Sequence, residues 1–319
     1  MDQILKGLQG VASIADDIVI YGKDKEEHDR NLTALMEQAA EAGTVFNSDK
    51  WIIKQNHVSF FGNLYTDSGI KPDPTKIRDI QKMPTPQNKD DLHRFLGMLT
   101  YLATYIPNFA EKAHTLRGLL KNDAMWIWEA DHQKCFDDLK SAITEDACLK
   151  YYDASTPLTL KVDASQKGLG IALVQNNRPI AFGSKTLTDC QSRCSNIERE
   201  MLAIVYGMQR YHTYLYGKSF TVITDHKPLV TICSKPLHAA PPWLQRMLIK
   251  TQGYNYEVKY RPGVDMVPAD TLNRLPNPQN DGDIELDERI DGIDTEFEDP
   301  DRHTIAIVNF SAHTAHSNC

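Results

Sequence analysis

The fold of this chain is decided by one stretch, LKVDASQKGLGIALVQ, which runs from Leu160 to Gln175. Together with the residues before it, its first part alternates between apolar positions (Leu158, Leu160, Val162) and polar positions (Thr159, Lys161, Asp163). Such alternation predicts a β-strand with one buried face. A glycine-rich turn and a second apolar run follow. Asp163 therefore lies at the end of a predicted strand, where it is either a turn residue or one of several carboxylates that hold metal ions.

The surrounding segment, residues 157–276, predicts a layered α/β domain. Its predicted strands are PLTLKVD, GLGIALVQ, RPIAFGSKTL, SFTVITDHKPL and YNYEVKYRPG, and its long helix is NIEREMLAIVYGMQRYHTYL. A short helix, VPADTLNRL, closes the segment. Strands, then a helix, then strands again are typical of a mixed sheet covered by helices.

The residues before this domain fall into two predicted segments. Residues 1–74 are predicted to be mixed α/β, with a strand–turn–strand in VASIADDIVIYG, a helix from Glu26 to Gly43 and a β-hairpin in WIIKQNHVSFFGNLYTDSGIKPDP. Within that hairpin, TDSG predicts a turn rather than the catalytic tripeptide of an aspartic protease. Residues 75–156 are predicted to be mainly helical, with one helix capped at Thr85–Pro86 and ended by Pro107.

Charge is distributed unevenly along the chain. Residues 277–319 carry 11 acidic and 2 basic residues, which predicts a disordered acidic tail. Residues 159–276 hold 15 basic and 8 acidic residues, although the whole chain has a net charge of −8. A local basic excess suits a polyanionic partner such as a nucleic acid backbone, and a solvated basic surface is the alternative. The expected fold class is α/β, in an α+β multi-domain arrangement.

The sequence also gives expectations about membrane association, secretion and the state of the cysteines. No apolar run approaches the roughly 20 residues needed to cross a bilayer, so we expect no membrane partner. The first residues, MDQILKGLQG, lack the basic start and apolar core of a signal peptide. The six cysteines are scattered without a CxxC pair, which predicts reduced thiols and no zinc site. An intracellular protein, cytoplasmic or nuclear, is expected, and the oligomeric state stays open.

Two predicted strands each place an aspartate near their end. FTVITDHKPL ends in Asp225 in the same way that the first strand ends in Asp163. Adjacent parallel strands would bring the two carboxylates together. Two negative charges at such a short distance repel each other unless a cation lies between them. A pair of Mg²⁺ ions about 4 Å apart, for which Mn²⁺ could substitute, would resolve this repulsion and stabilise the attacking and leaving oxygens of a phosphodiester.

The long helix offers a third carboxylate, for which the sequence leaves two candidates. Glu198 and Glu200 flank the apolar stripe of the helix, each about 80° from its centre at ~100° per residue, so periodicity does not choose between them. Asp270, in RPGVDMVPADTLNRL, is a fourth candidate, for which an ordinary acid of a helix cap is the alternative.

Three motifs of residues 157–276 strongly resemble the RNase H domain of gypsy-type LTR-retrotransposon Pol polyproteins: VDASQKGLGIALVQ, IEREMLAIVYGMQRYHTYLYGKSFTVITDHKPL and YRPGVDMVPADTLNRLP. The earlier motifs GVASIADDIVIYG, GIKPDPTKI, FLGMLTYLATYIPNFA and WIWEADHQKCFDDLK resemble the end of a reverse transcriptase palm, the thumb and the connection. The resemblance covers about Met1 to Pro276, with the motifs in the family's order.

The resemblance implies an RNase H fold with a five-stranded mixed sheet. It implies cleavage of the RNA strand of an RNA–DNA hybrid, with 5′-phosphate and 3′-hydroxyl products. By motif match, Asp163, Glu200, Asp225 and Asp270 take the four positions of the catalytic, metal-binding acids. Glu200 is preferred to Glu198 because the family's glutamate directly precedes the xLAI apolar run.

A second acidic pair, in IADD, resembles the Tyr-x-Asp-Asp turn of polymerases, with Ile14 in place of Tyr. A polymerase palm needs a further aspartate from an upstream strand, as well as fingers, and neither lies within this sequence. Asp16 and Asp17 are therefore interpreted as a remnant of a polymerase metal site. The resemblance implies RNA-directed DNA polymerase by family only, and we expect no autonomous DNA synthesis.

Two other functions stay open on the sequence alone. The chain could be a non-catalytic nucleic-acid-binding remnant in which the basic segment survives. It could also be a domesticated interaction protein whose acidic tail recruits a basic partner. The carboxylates favour a nuclease, because the set is complete for RNase H and incomplete for a polymerase.

Overall fold

A computed structural model describes residues 2–14, 17–22, 24–47, 51–55, 57–144, 147–262 and 304–309. The strands are Val11–Ile14 (β1), Asp17–Gly22 (β2), Ile52–Gln55 (β3), His57–Phe60 (β4), Asn63–Thr66 (β5), Gly69–Pro72 (β6), Leu158–Ala164 (β7), Gly168–Gln175 (β8), Arg178–Thr186 (β9), Ser219–Thr224 (β10), Asn255–Tyr260 (β11) and Thr304–Asn309 (β12). The helices are Asp2–Leu5 (α1), Lys25–Glu41 (α2), Pro74–Lys82 (α3), Lys89–Tyr101 (α4), Phe109–Lys112 (α5), His114–Gly118 (α6), Ala130–Ala142 (α7), Asp189–Ser192 (α8), Asn196–Arg210 (α9), His212–Leu215 (α10), Lys227–Ser234 (α11) and Pro242–Thr251 (α12). Among these described helices, none is both long and apolar enough to cross a membrane.

The chain divides into two compact units. The first unit holds the described residues up to Asp73, the short segment Tyr151–Asp153 and strand β12. The second unit holds residues 74–150 and the described residues from Ala154 to 262.

Strand β2 is the centre of the first unit because both of its faces are buried. It lies between β1 and β12, antiparallel to both, in a four-stranded sheet of order β1-β2-β12-β3. Ile18 and Ile20 pack against helix α2, whereas Val19 points the other way and packs with residues of β4 and β5. Each fully buried apolar side chain of this kind contributes roughly 1.5–3 kcal/mol.

The second unit is built on a five-stranded mixed sheet of order β11-β10-β7-β8-β9. Strands β7, β8 and β9 are antiparallel neighbours, whereas β10 runs parallel to both β7 and β11. Helix α9 connects β9 towards β10 and packs on β7 and β8. The predicted α/β class with a five-stranded mixed sheet is confirmed, as is the parallel adjacency of the two strands that lead to Asp163 and Asp225.

Strand β8 is buried along its whole length because helical segments cover both of its faces. On one face, a Cβ added at Gly168 would lie 3.3 Å from the Cβ of Ala110 in α5. On the other face, a Cβ added at Gly207 of α9 would lie 3.3 Å from Cγ2 of Ile171 and 3.0 Å from Leu160. The missing side chain at Gly207 therefore lets α9 lie close to the sheet.

Residues 51–74 form more than the predicted hairpin. Strand β3 joins the sheet of β2, whereas β4, β5 and β6 form a separate antiparallel sheet. The predicted antiparallel pairing is confirmed by β4–β5 and β5–β6, but β3 was not separated from it, because alternation shows which face of a strand is buried and not which strand it pairs with. The predicted turn at TDSG is confirmed: it joins β5 to β6, and the Thr66 hydroxyl donates to the carbonyl of Gly69.

Helix α4 begins later and ends earlier than predicted. Its N-cap is Asn88, whose Oδ1 accepts a hydrogen bond of 2.8 Å from the backbone N–H of Asp91. The Thr85 hydroxyl lies 3.2 Å from Oε1 of Gln133 in α7 instead, so it is not available as a cap. The helix ends at Tyr101, and a 3₁₀ turn, Ala103–Tyr105, precedes Pro107.

Strand β12 corrects the predicted acidic tail for six of its residues. Thr304–Asn309 pairs antiparallel with β2 and with β3, so the expectation of disorder is wrong for this segment. Its sequence, TIAIVN, is rich in the β-branched residues that favour strands. The other residues of 277–319, and the helix predicted at VPADTLNRL, lie outside the described residues.

Candidate catalytic site

Asp163 and Asp225 lie at the same edge of the five-stranded sheet. Asp163 belongs to β7, and Asp225 directly follows the last residue of β10. The parallel register pairs Ile223 with Lys161, and its continuation by two residues sets Asp225 beside Asp163. Burial raises the pKa of Asp163, and the charge of Asp225 raises it further.

Glu200 joins the ends of both strands. Its side chain is only 1% exposed. Oε1 accepts a hydrogen bond of 3.1 Å from the backbone N–H of Ala164, and Oε2 accepts one of 3.0 Å from the hydroxyl of Thr224. Burial raises the pKa of Glu200 to about 8, with the charges of Asp225 and Asp163 acting in the same direction and the Thr224 hydrogen bond opposing them. The three carboxylates are therefore electrostatically coupled.

The structure separates the two glutamates between which periodicity did not choose. Glu198 lies in the first turn of α9 and accepts a hydrogen bond from the backbone N–H of Ser195. It thereby satisfies one of the free donors at the start of the helix, as a capping residue does. Glu200, two residues later, points to the sheet and reaches β7 and β10.

A side chain from outside the sheet also reaches this edge. Asn108, which directly precedes α5, donates a hydrogen bond of 3.0 Å from Nδ2 to Oδ2 of Asp163. This hydrogen bond lowers the pKa of Asp163, against the larger effect of burial. Asn108 has a left-handed backbone, with φ of 53°, a conformation that asparagine tolerates better than most residues.

Glu111, one turn further along α5, is a further acid near Asp163. Burial raises the pKa of Glu111, the charge of Asp163 adds to this, and the charge of Lys167 lowers it. The edge of the sheet therefore concentrates acidic groups, which is the charge pattern of a site that binds cations.

Of the three other predicted site residues, the structure describes one, Asp17. Asp270 and Asp16 lie outside the described residues. Asp17 lies at the start of β2 in the first unit, paired with Ile14 of β1, and its side chain is exposed. The predicted strand–turn–strand around IADD is confirmed by β1 and β2.

The donor set fits a hard divalent cation by its chemistry. Asp163, Glu200 and Asp225 offer carboxylate oxygens. Burial is the main cause of the raised pKa of Glu200, and a cation would relieve the additional repulsion from Asp225 and Asp163. Within the part of the chain that the structure describes, no group of three or more His, Cys, Asp or Glu side chains is placed to hold a metal ion by itself. Mg²⁺ does not need such a cage, because it is usually bound by one or two carboxylates together with water and substrate phosphate.

Sequence reasoning missed Asn108, Glu111 and Thr224. Thr224 is completely buried, and its hydroxyl also accepts the backbone N–H of His226 at 3.1 Å. It therefore ties Glu200 to the loop that carries Asp225. Its position immediately before Asp225 was the one available signal, whereas Asn108 is 55 residues from Asp163 and gave none.

The comparisons with known proteins agree with this fold. Residues 128–222 match the model of the RNase H-like domain found in reverse transcriptase. Residues 128–222 accordingly belong to an RNase H-like domain of the kind found in reverse transcriptase. The chain as a whole is a relative of retrotransposon Pol polyproteins, as its motifs indicate.

Three of these relatives show the extent of the similarity. The chain is 32% identical over 264 residues to the retrovirus-related Pol polyprotein from transposon 412 of Drosophila melanogaster, covering 82% of this chain and 21% of that protein. It is 33% identical over 288 residues to the Pol polyprotein from transposon opus of the same organism, covering 85% and 28%. It is 28% identical over 272 residues to the transposon Tf2-3 polyprotein of Schizosaccharomyces pombe, covering 83% and 20%. The chain thus spans less than a third of each of these relatives.

Solved structures show the same fold. The foamy viral protease-reverse transcriptase in complex with RNA/DNA hybrid has a TM-score of 0.70 and 21% identity, covering 88% of this chain and 39% of that chain. The foamy viral protease-reverse transcriptase dRH in complex with ds DNA has a TM-score of 0.71 and 21% identity, covering 86% and 48%. At this level of identity, the likeness concerns the fold alone.

Proposed function

We propose that the chain is a metal-dependent endonuclease that hydrolyses the RNA strand of RNA–DNA hybrids. The observation that carries this proposal is the double attachment of Glu200 to the ends of β7 and β10, beside Asp163 and Asp225. It gathers three acids from distant parts of the sequence at one edge of an RNase H-like sheet. The match of residues 128–222 to the domain found in reverse transcriptase supports the same function.

The acids would act together on the scissile phosphodiester. Asp163, Glu200 and Asp225, with Asp270 as the fourth ligand, would hold two Mg²⁺ ions, for which Mn²⁺ could substitute. Bound ions supply a water activated for attack and stabilise the attacking and leaving oxygens. The protein itself fixes the carboxylates: Ala164 and Thr224 orient Glu200, and Asn108 contacts Asp163.

The proposed substrate follows from charge and from the structural neighbours. Residues 159–276 carry 15 basic and 8 acidic residues, so the domain that holds the acids has the excess of positive charge that a phosphate backbone attracts. The foamy viral neighbours were solved with an RNA/DNA hybrid and with ds DNA. We take the hybrid as the substrate, because the domain type is that of RNase H.

The test is cleavage of a hybrid whose RNA strand carries a 5′ label. The parent chain should cut the RNA strand only when Mg²⁺ or Mn²⁺ is present, and EDTA should stop the reaction. Asp163→Asn and Asp225→Asn should each lower the rate by at least about 100-fold, since each removes a charge that binds the ions. Glu198→Gln is the matched control for Glu200→Gln, because the two glutamates share one helix and only Glu200 reaches the acids.

The substrate panel separates the proposal from its rivals. Single-stranded RNA, double-stranded RNA and double-stranded DNA of the same sequence should be left intact. Tight binding of the hybrid without cleavage under any metal would favour a non-catalytic nucleic-acid-binding protein. Equal activity in the parent and in Asp163→Asn would reject the proposed site.

A further inference from the structure

The segment that carries Asn108 makes two separate hydrogen bonds to the five-stranded sheet. Asn108 Nδ2 donates to Oδ2 of Asp163 at 3.0 Å. The backbone N–H of Ala110, two residues later, donates to the hydroxyl of Ser184 in β9 at 2.9 Å. The segment that carries Asn108 is therefore fixed to the sheet independently of the acid that it contacts.

Strand β8 leaves room for this side chain. Gly170 is the direct partner of Asp163 in the β7–β8 register. A Cβ added at Gly170 would lie 1.9 Å from Oδ1 and 2.8 Å from Cγ of Asn108, which is far closer than non-bonded atoms approach. Even alanine at position 170 would therefore displace the Asn108 side chain from Asp163.

The backbone at Asn108 suits its place at the site. Its φ of 53° lies in the left-handed region, where most residues with a Cβ are strained. Asparagine and glycine adopt this conformation with little cost, but only asparagine has a side-chain amide that can donate a hydrogen bond. The position therefore combines a left-handed backbone with a side-chain donor that contacts a half-buried carboxylate.

We propose that Asn108 is a positioning residue that restrains the Asp163 carboxylate for metal binding and catalysis. The missing side chain at Gly170 leaves the space that the Asn108 side chain occupies. This inference rests on the proposed function and adds to it a residue from outside the five-stranded sheet. Asn108 acts through Asp163 and needs no contact with substrate. The competing interpretation is a purely structural tie between the α5 segment and β7.

The decisive variant is Asn108→Gly in the full chain, because glycine keeps the left-handed backbone and removes the side chain that carries the amide. Its matched control is Asn177→Gly. Asn177 is also left-handed, with φ of 61°, and lies in the turn at the other end of β8. Gly170→Ala is the second variant, since it displaces the same side chain and leaves Asn108 and all the acids in the sequence.

The proposal predicts a specific kinetic pattern. For hybrid cleavage, Asn108→Gly and Gly170→Ala should each lower kcat by about 10–100-fold, the usual cost of removing a group that orients a metal ligand. KM for the hybrid should stay close to that of the parent, because Asn108 makes no contact with substrate. The double variant should be no worse than either single variant, because both changes remove one contact.

Calorimetric titration with Mn²⁺ in the absence of nucleic acid gives a readout independent of cleavage. Affinity should fall in Asn108→Gly and Gly170→Ala and should be unchanged in Asn177→Gly. Parent-like kcat and Mn²⁺ affinity in Asn108→Gly would overturn the proposal. The proposal would also be overturned if the losses of kcat in Asn108→Gly and Gly170→Ala added up in the double variant. Additive losses would mean that the two substitutions act independently.

The same titration separates this inference from the proposed function. If the parent binds Mn²⁺ more tightly than Asn108→Gly but cleaves no hybrid, the positioning role stands and the proposed nuclease activity is rejected. If the parent neither binds Mn²⁺ nor cleaves, both are rejected. Thermal unfolding of every variant shows whether the fold is intact, and a parent-like midpoint in Gly170→Ala keeps the test decisive even if Asn108→Gly unfolds.

Discussion

The hydroxyl of Thr224 donates a hydrogen bond of 3.0 Å to Oε2 of Glu200, and the two side chains are 0% and 1% exposed. The same hydroxyl accepts the backbone N–H of His226, so one buried threonine orders both the glutamate and the loop after β10. Loss of a buried hydrogen bond of this kind lowers the free energy of unfolding chiefly because it leaves a buried carboxylate oxygen without a donor.

Thr224→Val should therefore harm both stability and activity. Valine has nearly the shape of threonine but no hydroxyl, so Oε2 of Glu200 loses its donor at a cost of about 1–3 kcal/mol in the free energy of unfolding. Hybrid cleavage should fall about 10–100-fold. Urea unfolding and single-turnover cleavage measure the two effects. Thr224→Ser, which keeps the hydroxyl, should resemble the parent; a valine variant with parent-like values in both assays would contradict the assigned role.

Divalent cations should stabilise the protein through the coupled acids. An ion that binds only the folded state raises the free energy of unfolding by about 2.7 kcal/mol when its concentration is a hundred times its Kd. The thermal midpoint should rise with added Mg²⁺ in the parent and in Glu198→Gln, and should rise much less in Glu200→Gln. An identical rise in all three proteins would show that the ions bind elsewhere.

The central strand of the first unit should be sensitive to cavities. Ile18 is fully buried against α2, so Ile18→Ala should lower the free energy of unfolding by about 2–5 kcal/mol, measured by urea denaturation. Val45 is 81% exposed, and Val45→Ala should change stability by less than about 0.5 kcal/mol. Similar costs for the two changes would be inconsistent with a core centred on β2.

The cysteines should differ strongly in reactivity. Cys190 is exposed, whereas burial raises the pKa of Cys135 to about 12 and its thiol donates to the carbonyl of Lys112. Because the thiolate is the reactive form, Cys190 should alkylate quickly at pH 8 and Cys135 slowly. The Cys135 rate should keep rising with pH up to its pKa. Mass spectrometry of peptides after timed iodoacetamide treatment measures both rates, and faster labelling of Cys135 would refute the assignment.

The chain tested alone should not extend a primer on an RNA template. Of the IADD pair, Asp17 lies exposed at the start of β2. A polymerase site needs several carboxylates to hold its ions. Denaturing gels of a labelled primer with all four deoxynucleotides provide the measurement. Robust incorporation that Asp17→Asn abolishes would show that the site is functional.

The site could be foreseen from sequence as far as local patterns reach. Alternation placed Asp163 and Asp225 at the ends of strands, and helical periodicity limited the third acid to Glu198 or Glu200. Periodicity could not choose between these two because both flank the apolar stripe. The choice depends on tertiary contacts, namely the hydrogen bonds of Glu200 to Ala164 and Thr224.

Long-range pairings account for what sequence patterns could not show. Strand β12 inserts between β2 and β3 although more than 240 residues separate it from either. Helices α11 and α12 follow Asp225 but were not predicted, since Pro228 and the paired Pro241 and Pro242 interrupt the apolar pattern there. In the structure, these prolines stand at or just before the first turn, where the missing N–H costs nothing.

The burial of β8 on both faces and both edges affects how fast its backbone amides exchange with solvent. Its amides are paired with β7 on one edge and β9 on the other, and both of its faces lie under helical segments. Deuterium from solvent can therefore reach this strand only when the whole unit unfolds, so its amides should report the global unfolding free energy. We therefore expect the acids at the edge of the neighbouring β7 to lie beside backbone amides that exchange slowly with solvent.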